Sequence, residues 1–407
     1  MSKSLTYCIV QESPNIEKLV QRFWELEQPP SAPPIQCPSD IECEEFYNST
    51  TSRDPVSGRY IVGLPFKDDV YSLGDSYETA RRHFMCLERK LEASPTLRLA
   101  YDDVIKEYLA KDYISPAPLY DSREITPFYV IPHHGVLRED KKSTRLRIVL
   151  DASSKTSTGR SLNDVLHSGQ NLQGDLFNII LNFRLHPVAM TADCRQQFLQ
   201  IVIRDSDRRY QCFLYRFNPH DPLVLYQFNR VCFGLTSSPY HALRTVRQLI
   251  DDDGAMSPLA SRIASTSLYM DDVAFSLLSE SEANEASQQL IDLFKGAQWD
   301  LIKWNSNYHS VLDNLPVSHK ITKEVEFDKS MQHKILGLHW STDSDEFYFK
   351  IFILDDVTCT KRSILYTVAR MWDIMGFVVV YAKLLIKQLW ELYLDWDDVP
   401  PPPIIKM

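Results

Sequence analysis

The sequence predicts an α+β fold in which helices back an antiparallel sheet. Three observations point there. Strand-like runs alternate with helical ones through the middle of the 407 residues, and two pairs of such runs are joined by tight turns, as in antiparallel hairpins. No Walker loop and no GxGxxG signals a parallel nucleotide-binding sheet. A hydrophobic content of 44% with 11% aromatic residues suffices for substantial cores and excludes a disordered chain.

The elements follow in order. Residues 29–38, PPSAPPIQCP, cannot hold a helix or an inner strand, so they form a joint ahead of the main body. From Asp75 the pattern turns helical: Asp75 and Glu78 suit a capping box, and Ala80, Phe84, Leu87 and Leu91 recur at helical spacing. A second helix carries Leu97, Tyr101, Val104, Ile105 and Tyr108 on one face. After Pro116 come the strands FYVIPHHGVLRED and LRIVLDAS. HPVAMTAD (186–193) reads as a strand ending at an aspartate, and YQCFLYRF and VLYQFNRVCF as a hairpin across NPHDP. SPYHALRTVRQLI is helical, SLYMDDVAFSLL is strand, tight turn and strand, and SEANEASQQLIDLFKGA is a helix with Ala283, Leu290 and Phe294 inward. After Pro316, KILGLHWSTDSDEFYFKIF is hairpin-like, and helical segments run around Ile364 to Trp372 and Ala382 to Tyr393. The chain ends in PPPPIIKM, the composition of a linker, and is expected to be a portion of something longer.

Composition narrows the function classes. The start, MSKSLTYCIVQESP, lacks the apolar run of a signal peptide, and the apolar stretch from Gly376 stops at Lys383, so no membrane partner is expected. Eight scattered cysteines without a CxxC pair signal neither a zinc site nor a disulfide framework, which suits reduced thiols in an intracellular protein. A net charge of −10 argues against simple coating of nucleic acid. Local charge differs: residues 138–160 hold seven basic against three acidic side chains. A basic groove coexists readily with acidic outer faces, because exposed charges beyond about 8 Å are screened at physiological salt.

STSLYMDDVAF (266–276) sets Asp271 and Asp272 side by side between apolar runs. Paired like charges are costly unless solvent, a hairpin turn or a cation offsets them, and the turn and the cation are both open readings. Nucleotidyl transfer needs hard cations beside the attacking hydroxyl and the triphosphate, held by carboxylates at the ends of adjacent strands. Asp193 is the candidate third carboxylate, at the end of a neighbouring strand.

Surrounding motifs sharpen the second reading. ADCRQQFLQI from Ala192, FGLTSSP (233–239), YMDD, LIKWNSN and LGLHW (336–340) occur in this order, preceded by VIPHHGVLRED, RIVLDAS and SLNDVL. From about residue 20 to 398 the sequence resembles the reverse transcriptases of long-terminal-repeat retroelements, most closely those of Bel/Pao retrotransposon polyproteins. The resemblance implies a right-hand polymerase (fingers, palm, thumb) with an antiparallel palm sheet backed by helices. It divides the chain into an N-terminal extension with its Pro-rich joint (1–75), fingers-side helices and strands (76–185), palm (186–315), primer grip, thumb and partial connection (316–398), and a Pro-rich tail (399–407).

The same resemblance implies roles. Asp193, Asp271 and Asp272 would hold two Mg2+ ions, with Mn2+ as an alternative, and Lys303 would neutralise or protonate the leaving pyrophosphate. Phe198 would abut C2′ of the incoming sugar and exclude a ribose 2′-hydroxyl by collision. Arg147 resembles the arginine that grips the triphosphate, assisted by Lys141 or Lys142. Phe233, where many relatives carry glutamine, Gly234 and Ser238 belong to the template-and-nucleotide loop. Tyr269 and Met270 would also bind the nucleotide. Leu336, Gly337, Leu338, His339 and Trp340 match the primer grip. Basic residues Lys361, Arg362, Arg370, Lys383 and Lys387 would follow the backbone of a hybrid.

The expected partners are a primed RNA or DNA template, dNTPs, and the RNase H and integrase domains of a full polyprotein, in a cytoplasmic virus-like particle. This chain shows no DTG or DSG of an aspartic protease, no carboxylate set of an RNase H and no integrase finger. The rival reading is a catalytically silent remnant that binds nucleic acid or partner proteins. An RNA-directed RNA polymerase is disfavoured by the large ring at Phe198.

Overall fold

The computed structural model describes residues 37–118, 128–137, 146–320, 332–348, 358–369, 373, 376 and 379–401. Helix α1 (Pro38–Thr50) leads to strands β1 (Ser52–Arg53) and β2 (Tyr60–Val62), helices α2 (Tyr77–Ala93) and α3 (Pro95–Ala110), and strands β3 (Ile114–Pro116), β4 (His133–Leu137) and β5 (Leu146–Leu150). Helix α4 (Leu176–Phe183) precedes β6 (Val188–Cys194), β7 (Val202–Ile203), β8 (Cys212–Tyr215) and β9 (Val224–Phe228). Helices α5 (Ser238–Asp253) and α6 (Pro258–Thr266), strands β10 (Leu268–Tyr269) and β11 (Asp272–Leu277), helix α7 (Glu280–Lys295) and β12 (Leu301–Ser306) follow. Beyond them lie β13 (Gln332–Ile335), β14 (Leu338–Ser341), β15 (Glu346–Tyr348) and helices α8 (Lys361–Ala369) and α9 (Val379–Glu391).

The α2 helix buries Ala80, Phe84, Leu87 and Leu91, the stripe that its spacing predicts. Its start differs from expectation. Ser76 is the N-cap and makes no side-chain capping bond, while Asp75 accepts from the Tyr77 amide at 2.8 Å. A complete capping box stands instead at Ser161 and Asp164, opening the short helix Leu162–Val165: each side chain accepts from the other residue's amide.

The central sheet is antiparallel, in the order β10–β11–β6–β12. Period-two alternation assigns its faces. Val188, Met190, Ala192 and Cys194 of β6 and Val273, Phe275 and Leu277 of β11 enter the main core. Ala189 and Ala274 turn to the opposite face, into a second cluster with Ile179, Ile180 and Phe183 of α4 and Leu336, Leu338 and Trp340 of the β13–β14 hairpin. That hairpin turns on two residues, Leu336 (φ 49) and Gly337 (φ 95). Two positive φ values in a two-residue turn suit the twist of the flanking strands.

Helix α1 straps α5 from outside: Arg244 Nε donates to Glu44 at 2.8 Å, Tyr240 to Glu44 at 2.6 Å, and Tyr47 to Thr245 at 3.0 Å. At the other end, Lys361 is buried, its Nζ 3.4 Å from the ring centroid of Trp390. Arg362 pairs with Asp397 at 2.7 Å. Buried Lys361 is not available to a nucleic-acid backbone, contrary to the sequence expectation, because its long stem fills the space between the two helices, whereas Arg362 stays exposed. Arg370 lies outside the described residues. Among the described residues, no helix is long and apolar enough to cross a membrane.

Candidate catalytic site

The aspartate pair of YMDD splits between two environments. Met270 (φ 56) and Asp271 form a two-residue turn, and Asp272 starts β11 opposite Tyr269. The turn docks on the end of β6, where the Cys194 amide donates to the Asp271 carbonyl at 2.7 Å. On the other side Asp272 is in register with Asp193. Directly opposed residues of an antiparallel pair share a face, so both belong to the face of Ala189 and Ala274 and not to that of the main core.

Lys303 reaches the same place through a backbone irregularity. Ile302 pairs with Asp193, so strict alternation would send Lys303 to the main-core face. The register shifts between Ile302 and Asn305, and Lys303 adopts a left-handed φ of 55. This bulge re-aims the side chain, and Lys303 Nζ donates to Asp193 Oδ2 at 2.8 Å.

The charges interact. Desolvation by the surrounding chain and then the negative charge of Asp193 raise the Asp271 carboxyl above its usual range, although the residue stays open to solvent at the hairpin tip. Lys303 and Arg147 pull it the other way. Arg147, exposed on β5, thus acts on Asp271 by charge alone, and no hydrogen bond or ion pair joins the two among the described residues. Lys141 and Lys142 lie outside the described residues.

Carboxylates that repel each other, as Asp193 and Asp271 do, are oxygen donors of the kind Mg2+ or Mn2+ takes, and in donor chemistry these two fit a cation. The expected trio is not assembled as one ligand set, however. Among the described residues, no three His, Cys, Asp or Glu side chains gather closely enough to hold a metal ion. Asp271 lies in the turn and Asp272 on the strand, while Asp193 is ion-paired with Lys303.

The FGLTSSP loop is clamped from both sides. Gly234 has φ +89, and a Cβ there would stand 2.4 Å from the Leu150 carbonyl oxygen. Asn163 donates to the Gly234 carbonyl at 3.0 Å and accepts from the Thr236 amide at 2.9 Å. Ser238 is buried and donates its hydroxyl to the Cys232 carbonyl at 2.7 Å, so that group closes the loop. Phe198 and Phe233 are half-buried and meet edge to face at 5.6 Å. Tyr269 packs against the second core cluster and Met270 against the main one. In the β13–β14 hairpin, Trp340 packs on Phe183 at 5.0 Å and donates to Asp345 at 2.9 Å, while His339 stacks on Tyr348 at 5.2 Å.

Two supporting groups escaped sequence reasoning. Asn163 was visible only as part of SLNDVL, with no sign that its amide would pin a loop 71 residues away. Gln196 is left-handed (φ 48, ψ 44) just before the turn that carries Phe198, where neither glycine nor asparagine marked it.

Residues 360–407 match the family model described as Pao retrotransposon-like RNaseH-like domain, a stretch overlapping the expected thumb, connection and tail. No curated protein matches the chain. Two solved structures of a foamy viral protease-reverse transcriptase are similar to it. One, of the dRH form in complex with ds DNA, is 14% identical over 75% of this chain and 46% of its own, with a TM-score of 0.47. The other, in complex with RNA/DNA hybrid, is 16% identical over 73% of this chain and 34% of its own, with a TM-score of 0.43. The chain thus spans less than half the length of either. The motif series upstream resembles that of Bel/Pao polyproteins, and the match at 360–407 is similarity to the Pao retrotransposon family over that stretch.

Proposed function

We propose that this region is an RNA-directed DNA polymerase, extending a primer on an RNA or DNA template. The observation that carries the reading is that Asp193 stands in register with Asp272 and is ion-paired with Lys303, so that three separate segments bring their charges to one end of the central sheet. Here β6, β10–β11 and β12 serve as the palm, segment 76–185 as the fingers side, and the β13–β14 hairpin as the primer grip.

Asp193 and Asp271 would hold the divalent cations, with Asp272 the remaining carboxylate at that edge. When bound, Mg2+ or Mn2+ would supply the positive charge that favours the attacking 3′-hydroxyl and the leaving diphosphate. The chain's own groups do the rest. Arg147 binds the triphosphate of the dNTP, since a guanidinium can pair bidentately with phosphate oxygens. Lys303, already at the Asp193 carboxylate, neutralises or protonates the departing pyrophosphate. Phe198 rejects a ribose 2′-hydroxyl by steric collision.

The test is primer extension on poly(rA) with dTTP and Mg2+, comparing the parent with Asp271→Asn. Extension by the parent and not by the variant is the expected result. If neither extends while both fold and bind template, the silent nucleic-acid-binding remnant takes its place.

A further inference from the structure

Phe198 stands on the short 3-10 turn Gln197–Gln200 that follows β6. The other residues of that turn, Gln197, Leu199 and Gln200, are buried. The backbone is tied as well. Trp299 donates its indole N–H to the Gln197 carbonyl at 3.1 Å, and the Ile201 amide donates to the Phe198 carbonyl at 3.1 Å. Ahead of the turn, the left-handed Gln196 accepts from the Tyr113 hydroxyl at 3.1 Å. Gln200 donates to the same hydroxyl at 3.0 Å and accepts from Arg59 at 2.6 Å.

The ring of Phe198 is what this scaffold leaves half-buried. Its aromatic neighbour is Phe233, centroid to centroid 5.6 Å at an interplanar angle of 70°. That geometry sets the positive edge of one ring against the negative face of the other, a favoured aromatic arrangement. Phe233 in turn is anchored, because its loop is clamped by Gly234 against Leu150, by Asn163 and by the Ser238 hydroxyl.

We propose that Phe233 is a positioning residue for sugar selection: it braces the ring of Phe198, so that deoxyribonucleotides are selected by two coupled rings and not by Phe198 alone. This rests on the polymerase reading above. A steric wall discriminates only as well as it resists moving, and an unbraced phenylalanine can admit a 2′-hydroxyl by changing rotamer. The edge-to-face contact adds to the cost of that escape. Losing it corresponds to roughly a two- to tenfold loss of discrimination.

The experiment measures kcat/KM for dTTP and UTP on one primed poly(rA) template. It compares the parent, Phe233→Ala, Phe233→Tyr, Phe198→Ala and the Phe198→Ala/Phe233→Ala double variant. Phe233→Ala should lose about two- to tenfold of the dTTP preference, Phe233→Tyr should keep it, and Phe233→Ala should add nothing once Phe198 is alanine. A residue that merely supported the fold would lower both substrates together. An unchanged ratio in Phe233→Ala, or the same loss in the double variant, overturns the proposal while leaving the polymerase intact. A parent that extends with neither substrate overturns the polymerase reading and the sugar gate with it. Urea denaturation of the same alanine variants then reads the ring contact directly: additive losses mean that the rings are uncoupled, which also sinks the proposal, and Phe233→Leu replaces Phe233→Ala if the latter does not fold.

Discussion

Replacing the imidazole of His241 should remove a defined part of this protein's acid sensitivity. His241, on α5, and His133, on β4, are both buried, and burial lowers each imidazole to about 4. An unfolded histidine titrates near about 6.5. The folded value is the depressed one, so the unfolded chain takes up the proton first as pH falls. The stability contribution is therefore intact above about pH 6.5 and is lost progressively between about 6.5 and 4. At roughly 1.4 kcal/mol per pH unit, each imidazole costs about 2 kcal/mol by pH 5 and about 3 kcal/mol by pH 4.

The two histidines separate experimentally. Neither ring nitrogen of His241 has a hydrogen-bond partner among the described residues. His133 meets the Tyr101 hydroxyl through Nδ1 and the Leu214 carbonyl through Nε2 at 2.8 Å. His241→Leu strands no partner, so it should stay within about 1 kcal/mol of the parent at pH 7 and retain about 2 kcal/mol more than the parent on moving to pH 5. His133→Leu would leave a buried hydroxyl and carbonyl unpaired, at a cost of about 1–3 kcal/mol already at pH 7. Urea denaturation followed by tryptophan fluorescence at pH 7 and pH 5 reads all of this. Equal pH-dependent losses in parent and His241→Leu would refute the assignment of a neutral, desolvated imidazole at 241.

Other perturbations address the site. Gly234→Ala should destabilise by at least about 1–2 kcal/mol from the left-handed backbone alone, with more from the approach of the new Cβ to Leu150. An unchanged urea midpoint would show that the loop is not clamped there. Lys303→Met should lower kcat for primer extension by roughly a hundredfold and shift KM for dTTP much less, as expected for loss of a proton donor or charge at the leaving group. Its effect on stability should stay below about 1 kcal/mol, because the Lys303 end of the Lys303–Asp193 pair is exposed to solvent. Full activity in Lys303→Met would remove the residue from the chemistry.

Much of this arrangement was legible in the sequence, because its signals are local. Alternation in VAMTADC and DVAFSL determines which side chains face the main core, and it places Asp193 and Asp272 on the other face. A two-residue gap between β10 and β11 determines a tight turn, and Asp271 lies in it. The stripe of α2 is equally local. Capping was misread for the same reason in reverse: Asp75 and Glu78 have the right types, but a capping box also needs reciprocal backbone geometry, which Ser161 and Asp164 have.

Only the tertiary structure decided what depends on contacts far apart along the chain. The bulge that turns Lys303 onto Asp193 is a register shift between strands 110 residues apart, and no property of LIKWNSN announces it. The loop at Gly234 is held against Leu150 of β5, and Phe198 meets Phe233 across two loops far apart in sequence. Lys361 reads as an exposed cation in sequence, yet it lies over Trp390. By itself the sequence determined the periodicities, the turns and the order of the motifs, each of which spans a few residues and follows from backbone geometry. Which charges and rings finally meet was set by packing, since burial and Coulomb interaction depend on distance in space and not on distance along the chain.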